Sequence, residues 1–342
     1  MEGKKDEDFG ALSASFFSSF LDDHNDENYN AVAEKEDVIL LRFPICCVTG
    51  HGYTGKTVLL NYIRGDPDFQ YDPTKRIGAT YVPSDYIVKK TKELKPDNHN
   101  DNFPGLLFLD TPGLTSFTNI MSQGLALCDI AILFIDMFFQ WKPCYNAPFA
   151  KAYKQQCMDT QNAFNMKLTQ IISQFKEHGI STEIYWKNKE MGETISIVPI
   201  SAKCGEGIPD LLLLLVMYSK TMLDKLTYKE ELQCTILDVG FHKGRGTMIH
   251  VVLMNGTICE GDRIVGQILT SIQSLWAPRP REELGVKGNY LQYKKIKGVM
   301  PIKIFAQGIE DAIRGSNLYL VNPGDDSKDV EETILEDKKQ QD

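Results

Sequence analysis

Gly50-His51-Gly52-Tyr53-Thr54-Gly55-Lys56-Thr57 lies between the apolar run Ile45-Cys46-Cys47-Val48 and the apolar stretch Val58-Leu59-Leu60. Strand, glycine-bearing loop and helix follow in the order that builds a phosphate-binding loop. The glycines let the backbone curl so that successive N–H groups face one point. Lys56 adds a positive charge, Thr57 offers a hydroxyl to Mg²⁺, and the helix beginning there presents its positive end. The spacing predicts a helix over Lys56–Arg64, stopped at Gly65. An ordinary glycine-rich turn would share these residue types but not the strand before them and the helix after.

Outward from the loop, strands and helices alternate. Val38–Leu41 and Ile45–Val48 are strand-like, Asp66–Pro83 reads as a loop with some extended structure, and Lys90–Asn102 is polar and turn-rich. Leu106–Leu109 and Ile130–Ile135 are buried strands, and Ser116–Leu127 is expected to be helical. Phe164, Leu168, Ile171, Ile172 and Phe175 fall at helical spacing as a core-facing stripe ending before Gly179. Thr194–Ile200 reads as a strand, and Pro209 opens a helix over Asp210–Leu226. This alternation predicts an α/β P-loop domain over residues 38–228, a mostly parallel sheet with helices on both faces.

At Tyr228 the period switches to two. Gln233–Val239, Thr247–Met254 and Thr257–Val265 read as strands, with Asn255-Gly256 as a two-residue hairpin turn. Residues 229–323 are therefore expected to form a small β-barrel. Residues 1–37 and 324–342 are acidic tails. The first carries an aromatic island, Phe16–Leu21, that reads either as part of a disordered tail or as a short partner-docking helix.

A net charge of −9 argues against a general basic surface for nucleic acid. The eight cysteines show no zinc spacing and sit mostly in apolar stretches, as free thiols do. No signal or transit peptide is evident, and Asp129 and Asp136 interrupt the apolar run Gly124–Trp141, so no membrane span is expected.

Two further motifs carry chemistry. Asp110-Thr111-Pro112-Gly113 ends the strand Leu106–Leu109; there a carboxylate holds Mg²⁺ through water, and the glycine N–H meets a γ-phosphate. Ser201-Ala202-Lys203 follows the strand Thr194–Ile200, where a guanine-binding fold offers a backbone N–H to the base. Together with Pro44–His51, Ile77-Gly78-Ala79-Thr80, Leu127–Leu133 and Gly205–Asp210, these motifs resemble the translational GTPases. Within them they resemble the eukaryotic initiation factor 5B family, relatives of bacterial initiation factor 2, most of all in its plant forms, over roughly residues 40–325.

The resemblance implies binding of GTP/GDP and Mg²⁺, with hydrolysis of GTP to GDP and phosphate on the ribosome during subunit joining, in the cytoplasm. By position it assigns Gly50, His51, Gly52, Tyr53, Thr54, Gly55, Lys56 and Thr57 to the phosphates, Thr74 to the first switch, and Asp110 and Gly113 to the second. Ser201, Ala202 and Lys203 are assigned to the base pocket. Thr57, Thr74 and Asp110 are the metal-side residues, Asp110 through water.

Four departures qualify it. Tyr53 stands where the family has an aspartate linked to a monovalent cation. Leu114 stands where a histidine orients the attacking water, and leucine has neither donor nor acceptor. The Asn-Lys-x-Asp element that reads guanine is missing between Asp136 and Lys151, a stretch too short for a βαβ crossover. Asn188-Lys189-Glu190-Met191 is a decoy before the wrong strand. Losing an interior strand should leave an unpaired edge beside Ile130–Ile135 or make the last strand slide over. The family's two further domains, the last of which reaches initiator tRNA, have no counterpart here, so direct tRNA contact is not expected. A shorter deletion is suspected at Asp262–Gln267.

The expectation is phosphate binding with weakened base discrimination and slow or absent hydrolysis. Two other readings stay open: a non-catalytic ribosome-binding regulator, and a non-functional truncated product whose missing block reflects the gene model or splicing.

Overall fold

A computed structural model describes residues 41–66, 77–94, 103–111, 124–137, 140–265, 269–285, 289–310 and 312–321. Thr74, Gly113, Leu114, both acidic tails and residues 116–123 of the expected helix Ser116–Leu127 lie outside them; residues 124–126 are helical as expected. The first unit contains β1 (Ile45–Gly50), α1 (Lys56–Arg64), β2 (Gly78–Pro83), α2 (Ser84–Thr91), β3 (Gly105–Asp110), β4 (Ile130–Phe134), α3 (Phe149–Lys154) and α4 (Met158–Glu177). It continues with β5 (Thr182–Ile184), β6 (Ile195–Ile197), α5 (Ile208–Thr221) and α6 (Leu223–Leu226).

The main sheet runs β2-β3-β1-β4, with β1 parallel to both β3 and β4 and β2 antiparallel to β3. Continuous apolar runs in β1 and β3 match their position, since both strands are buried along their whole length. The sheet stops at β4. β5 and β6 form a separate parallel pair, so among the described residues no strand lies beside the outer edge of β4. Ala131 and Leu133 on that strand are exposed, Leu133 to 52%, and Ile195 on β6 to 55%. Of the two outcomes expected for a missing interior strand, the unpaired edge is the one found.

α5 joins the two pieces. Ile208, Leu211, Leu212 and Leu215 pack with Cys46, Val48, Phe108 and the α1 residues Leu59, Leu60 and Ile63. Leu213, Leu214 and Met217 on its other side pack with Phe149, Tyr153, Phe164, Tyr185 and Trp186. A helix apolar on both sides serves here as the wedge between two cores.

Several elements differ from expectation. The helix expected over Asp210–Leu226 breaks at Met222 into α5 and α6. α4 buries only Phe164; the rest of its stripe is half-buried, because the small β5–β6 sheet gives it little to cover. α2, α3, β2 and β5 arise where no element was clearly indicated.

The second unit is β7 (Gln233–His242), β8 (Gly246–Asn255), β9 (Thr257–Cys259), β10 (Arg263–Val265), β11 (Leu269–Pro278), β12 (Tyr290–Tyr293), β13 (Lys295–Lys297), β14 (Met300–Ala306) and β15 (Tyr319–Val321). Its main sheet runs β15-β10-β11-β14-β8-β7, with β12 also on β11, and a separate β13-β9 pair. The strand expected over Thr257–Val265 is thus two strands. Asn255-Gly256 does not make a β8–β9 hairpin: the Asn255 side chain accepts from the Lys229 N–H and donates to Gln233, and β9 pairs with β13. At the suspected deletion, β10 and β11 pair as neighbouring antiparallel strands.

The two units share a core. Ile45, Ala79, Leu107 and Leu109 of the first pack with Leu237, Val252, Leu284 and Val299 of the second. Barrel residues extend the edge of β2: the Arg281 N–H donates to Tyr81 O at 2.8 Å and the Leu284 N–H to Ala79 O at 2.9 Å. Arg64, at the end of α1, meets Glu283 at 3.4 Å, with both side chains about 4% exposed. Gly78 leaves the room: a Cβ there would lie 3.0 Å from Glu283 Cδ.

Candidate nucleotide-binding site

The loop between β1 and α1 is fixed at its two ends. Gly50, at φ 141, lies where a Cβ would sit 2.7 Å from Phe134 O, so only glycine allows β4 this close. Gly55, at φ 89, turns the chain into α1, and the Leu59 N–H donates to Gly55 O at 2.9 Å. Between them Thr54 Oγ1 donates to His51 O at 2.8 Å. His51, Gly52 and Tyr53 stand in solvent, Tyr53 at 89% exposure.

Lys56 is buried, and its ammonium donates to Gly50 O at 2.8 Å and His51 O at 2.5 Å. Burial lowers its pKa, while Asp110 and Asp136 pull in the opposite sense. Asp110 ends β3 opposite Val48 and is buried; the next residue, Thr111, donates its hydroxyl to Val48 O at 2.8 Å. Loop, ammonium, Thr57 in the first turn of α1 and Asp110 therefore converge at the ends of adjacent parallel strands.

This set fits a phosphate chain with a divalent ion. The cradle has the cation, and nothing lies within 4 Å of a Cβ built at Gly52 or Gly55. Among the described residues no three His, Cys, Asp or Glu side chains gather to hold a metal alone. An ion here would thus take ligands from the phosphates as well as from Thr57 and, through water, Asp110.

Ser201, Ala202 and Lys203 occupy a closed loop after β6. The Ser201 N–H donates to Glu206 O at 2.9 Å, and Ser201 O accepts from Gly205 N at 2.7 Å. Residues 144–147 tie it down: Glu206 Oε1 accepts from the Cys144 N–H, Cys204 O from the Asn146 N–H, and Ala147 O from the Gly207 N–H. Burial raises the Glu206 carboxyl above its ordinary pKa. No described residue supplies the Asn-Lys-x-Asp element. Asn188 is a turn-builder: its Nδ2 donates to Thr194 O and Ser196 Oγ, both at 2.8 Å, and its Oδ1 accepts from the Glu190 N–H.

Sequence reasoning missed the polar frame around the site. Asp129, noted only as an interruption in an apolar run, holds Arg42 through both oxygens and accepts from the Ile45 N–H at 2.8 Å, anchoring the start of β1. A cleft of about 470 Å³ between α4 and the β5–β6 turn, lined by Lys176, Thr182, Lys187 and Asn188, lies apart from the phosphate loop. Among the described residues no helix is long and apolar enough to cross a membrane.

Residues 41–221 match the family model of the elongation factor Tu GTP binding domain. The chain is 39% identical to eukaryotic translation initiation factor 5B of Dictyostelium discoideum, over 84% of this chain and 32% of that protein. It is 38% identical to the Saccharomyces cerevisiae factor, over 87% and 34%. A probable translation initiation factor IF-2 of Methanospirillum hungatei is 33% identical, over 87% and 56%. The crystal structure of GDP-bound aIF5B from Aeropyrum pernix superposes with a TM-score of 0.73 at 28% identity, covering 88% of this chain and 57% of that one. The chain spans about a third of the length of the eukaryotic relatives it matches. It therefore belongs to the elongation factor Tu GTP-binding domain family.

Proposed function

We propose that this chain binds guanine nucleotides with Mg²⁺ and acts at the ribosome in initiation, holding the nucleotide better than it recognises or cleaves it. The observation that carries this reading is Lys56, buried under the loop between Gly50 O and His51 O with Asp110 on the adjacent strand end. Gly50–Thr57 would grip the phosphates, and Thr57 with Asp110 would hold Mg²⁺, which when bound neutralises charge on the terminal phosphates. Thr74 and Gly113 complete the switches in this reading, and the closed loop Ser201-Ala202-Lys203 supplies one wall of the base site.

Base discrimination is reduced, because no carboxylate faces the guanine edge once Asn-Lys-x-Asp is gone. Hydrolysis is slow, because Leu114 cannot orient water. Titration with fluorescent GTP and ATP analogues, with and without Mg²⁺, tests the first part; Mg²⁺-dependent binding with little preference between them is expected. A strong preference for GTP would refute the loss of base reading, and GTP turnover matching intact family members would refute the role given to Leu114. Co-sedimentation with ribosomal subunits tests the partner.

A further inference from the structure

Cys47 lies mid-way along β1, wholly buried, and Cys128 lies half-buried just before β4. The segment carrying Cys128 is fixed against β1: the Asp129 N–H donates to Ile45 O at 2.8 Å, and the ladder then pairs Cys46 with Ile130 and Cys47 with Ala131. The Cys47 thiol and amide N–H approach Cys128 Sγ, and the Cys128 thiol donates to Leu125 O at 3.1 Å. Cys46 points to the opposite face of the sheet, into the cluster with α1 and α5, whereas Cys128 packs on the face shared with the barrel. Cys47 is thus the thiol presented to Cys128.

The two thiols are unequal. The Cys47 hydrogen bond lowers the pKa of Cys128, and the same contact together with burial raises that of Cys47. A half-buried thiol of lowered pKa beside a wholly buried one is the arrangement in which one sulfur is oxidised and the other resolves it.

We propose that Cys47 and Cys128 are a dithiol–disulfide pair that a hydroperoxide closes, stapling β1 to the start of β4 beneath the phosphate loop. The Cys128 thiolate attacks a peroxide oxygen and the O–O bond breaks. This leaves a Cys128 sulfenic acid and, with hydrogen peroxide, hydroxide. The Cys47 sulfur then attacks the sulfenic sulfur, and the S–O bond breaks; the departing hydroxyl takes the Cys47 proton and leaves as water. Two thiols are oxidised and one peroxide is reduced to two waters. Thr111, the residue next to Asp110, lies against the Cys47 sulfur, so closure also alters its surroundings.

The test treats the full chain carrying Cys157→Ser, which removes the exposed competing thiol, with hydrogen peroxide, blocks remaining thiols and maps peptides by mass spectrometry. The expected result is a Cys47–Cys128 crosslink, two thiols lost per chain, reversal by dithiothreitol, and a higher thermal midpoint in the oxidised form. Cys46→Ala should leave the crosslink intact. Cys128→Ser should abolish it, and Cys47→Ser should leave a Cys128 sulfenic acid that dimedone traps. A Cys46–Cys128 crosslink, loss of Cys128 with Cys47 still reduced, or oxidation of Cys144 and Cys204 as fast as Cys128 would each overturn the proposal.

Discussion

Replacing Glu283 with alanine should damage the joint between the two units. The carboxylate faces Arg64 at 3.4 Å with both side chains about 4% exposed, so its loss strands a buried guanidinium. Removing one member of such a pair costs about 3–5 kcal/mol. Arg64 keeps hydrogen bonds to Thr80 Oγ1 at 3.0 Å and Asn61 Oδ1 at 3.4 Å. Each offsets about 1 kcal/mol, which leaves an expected loss of about 1–3 kcal/mol. Urea unfolding followed by tryptophan fluorescence, run on Glu283→Ala, Arg64→Met and Arg64→Met/Glu283→Leu, reads it directly. The double variant buries no unmatched charge and should cost at least about 1 kcal/mol less than the sum of the singles. Single losses that simply add, to within about 0.5 kcal/mol, would refute the coupling.

Lys56→Ala removes the cation of the loop and should weaken binding of a fluorescent GDP analogue by at least about tenfold, the equivalent of roughly 1.4 kcal/mol; retained affinity would place the phosphates elsewhere. Asp210 is fully buried, accepts from Tyr185 Oη at 2.5 Å and Phe149 N at 2.9 Å, and burial pushes its carboxyl up to about 6 from an ordinary 3.8. Between those values the folded chain keeps a proton that the unfolded chain has released. Stability from this group is full below about pH 4 and falls by about 3 kcal/mol as pH rises through 6. Urea midpoints of Asp210→Asn should lack that decline, and a parallel decline in both proteins would refute it. Leu133→Lys with Ile195→Lys, at exposed positions, should shift stability by less than about 0.5 kcal/mol yet suppress concentration-dependent light scattering; unchanged scattering would mean the open β4 edge does not self-associate.

What was legible in the chain was local. Gly50–Thr57 sits on consecutive positions, α1 has both its ends written in Gly55 and Gly65, and β1 and β3 are apolar runs that need nothing else to declare them. The Arg64–Glu283 joint was not legible, because its members are remote in the chain and each looks like a surface charge. Asn255-Gly256 misled for a related reason: its composition suits a hairpin, but the Asn255 side chain is committed to Lys229 and Gln233. α4 shows the limit of periodicity, which reports a stripe without saying whether anything covers it. The expected loss of an interior strand followed from counting residues between Asp136 and Lys151, since chain length bounds what a crossover can contain; whether an edge would open or the last strand slide over did not.

α1 has Lys56 and Thr57 at one end and Arg64 at the other, the two tips of a 9-residue helix about 13 Å long. A rod of that length does not bend between its tips. Whatever the phosphate end does by tilting or sliding must reappear at Arg64, and so at the carboxylate of Glu283 on the barrel. The same short helix is therefore both the floor of the nucleotide cradle and the axle on which the second unit is hung.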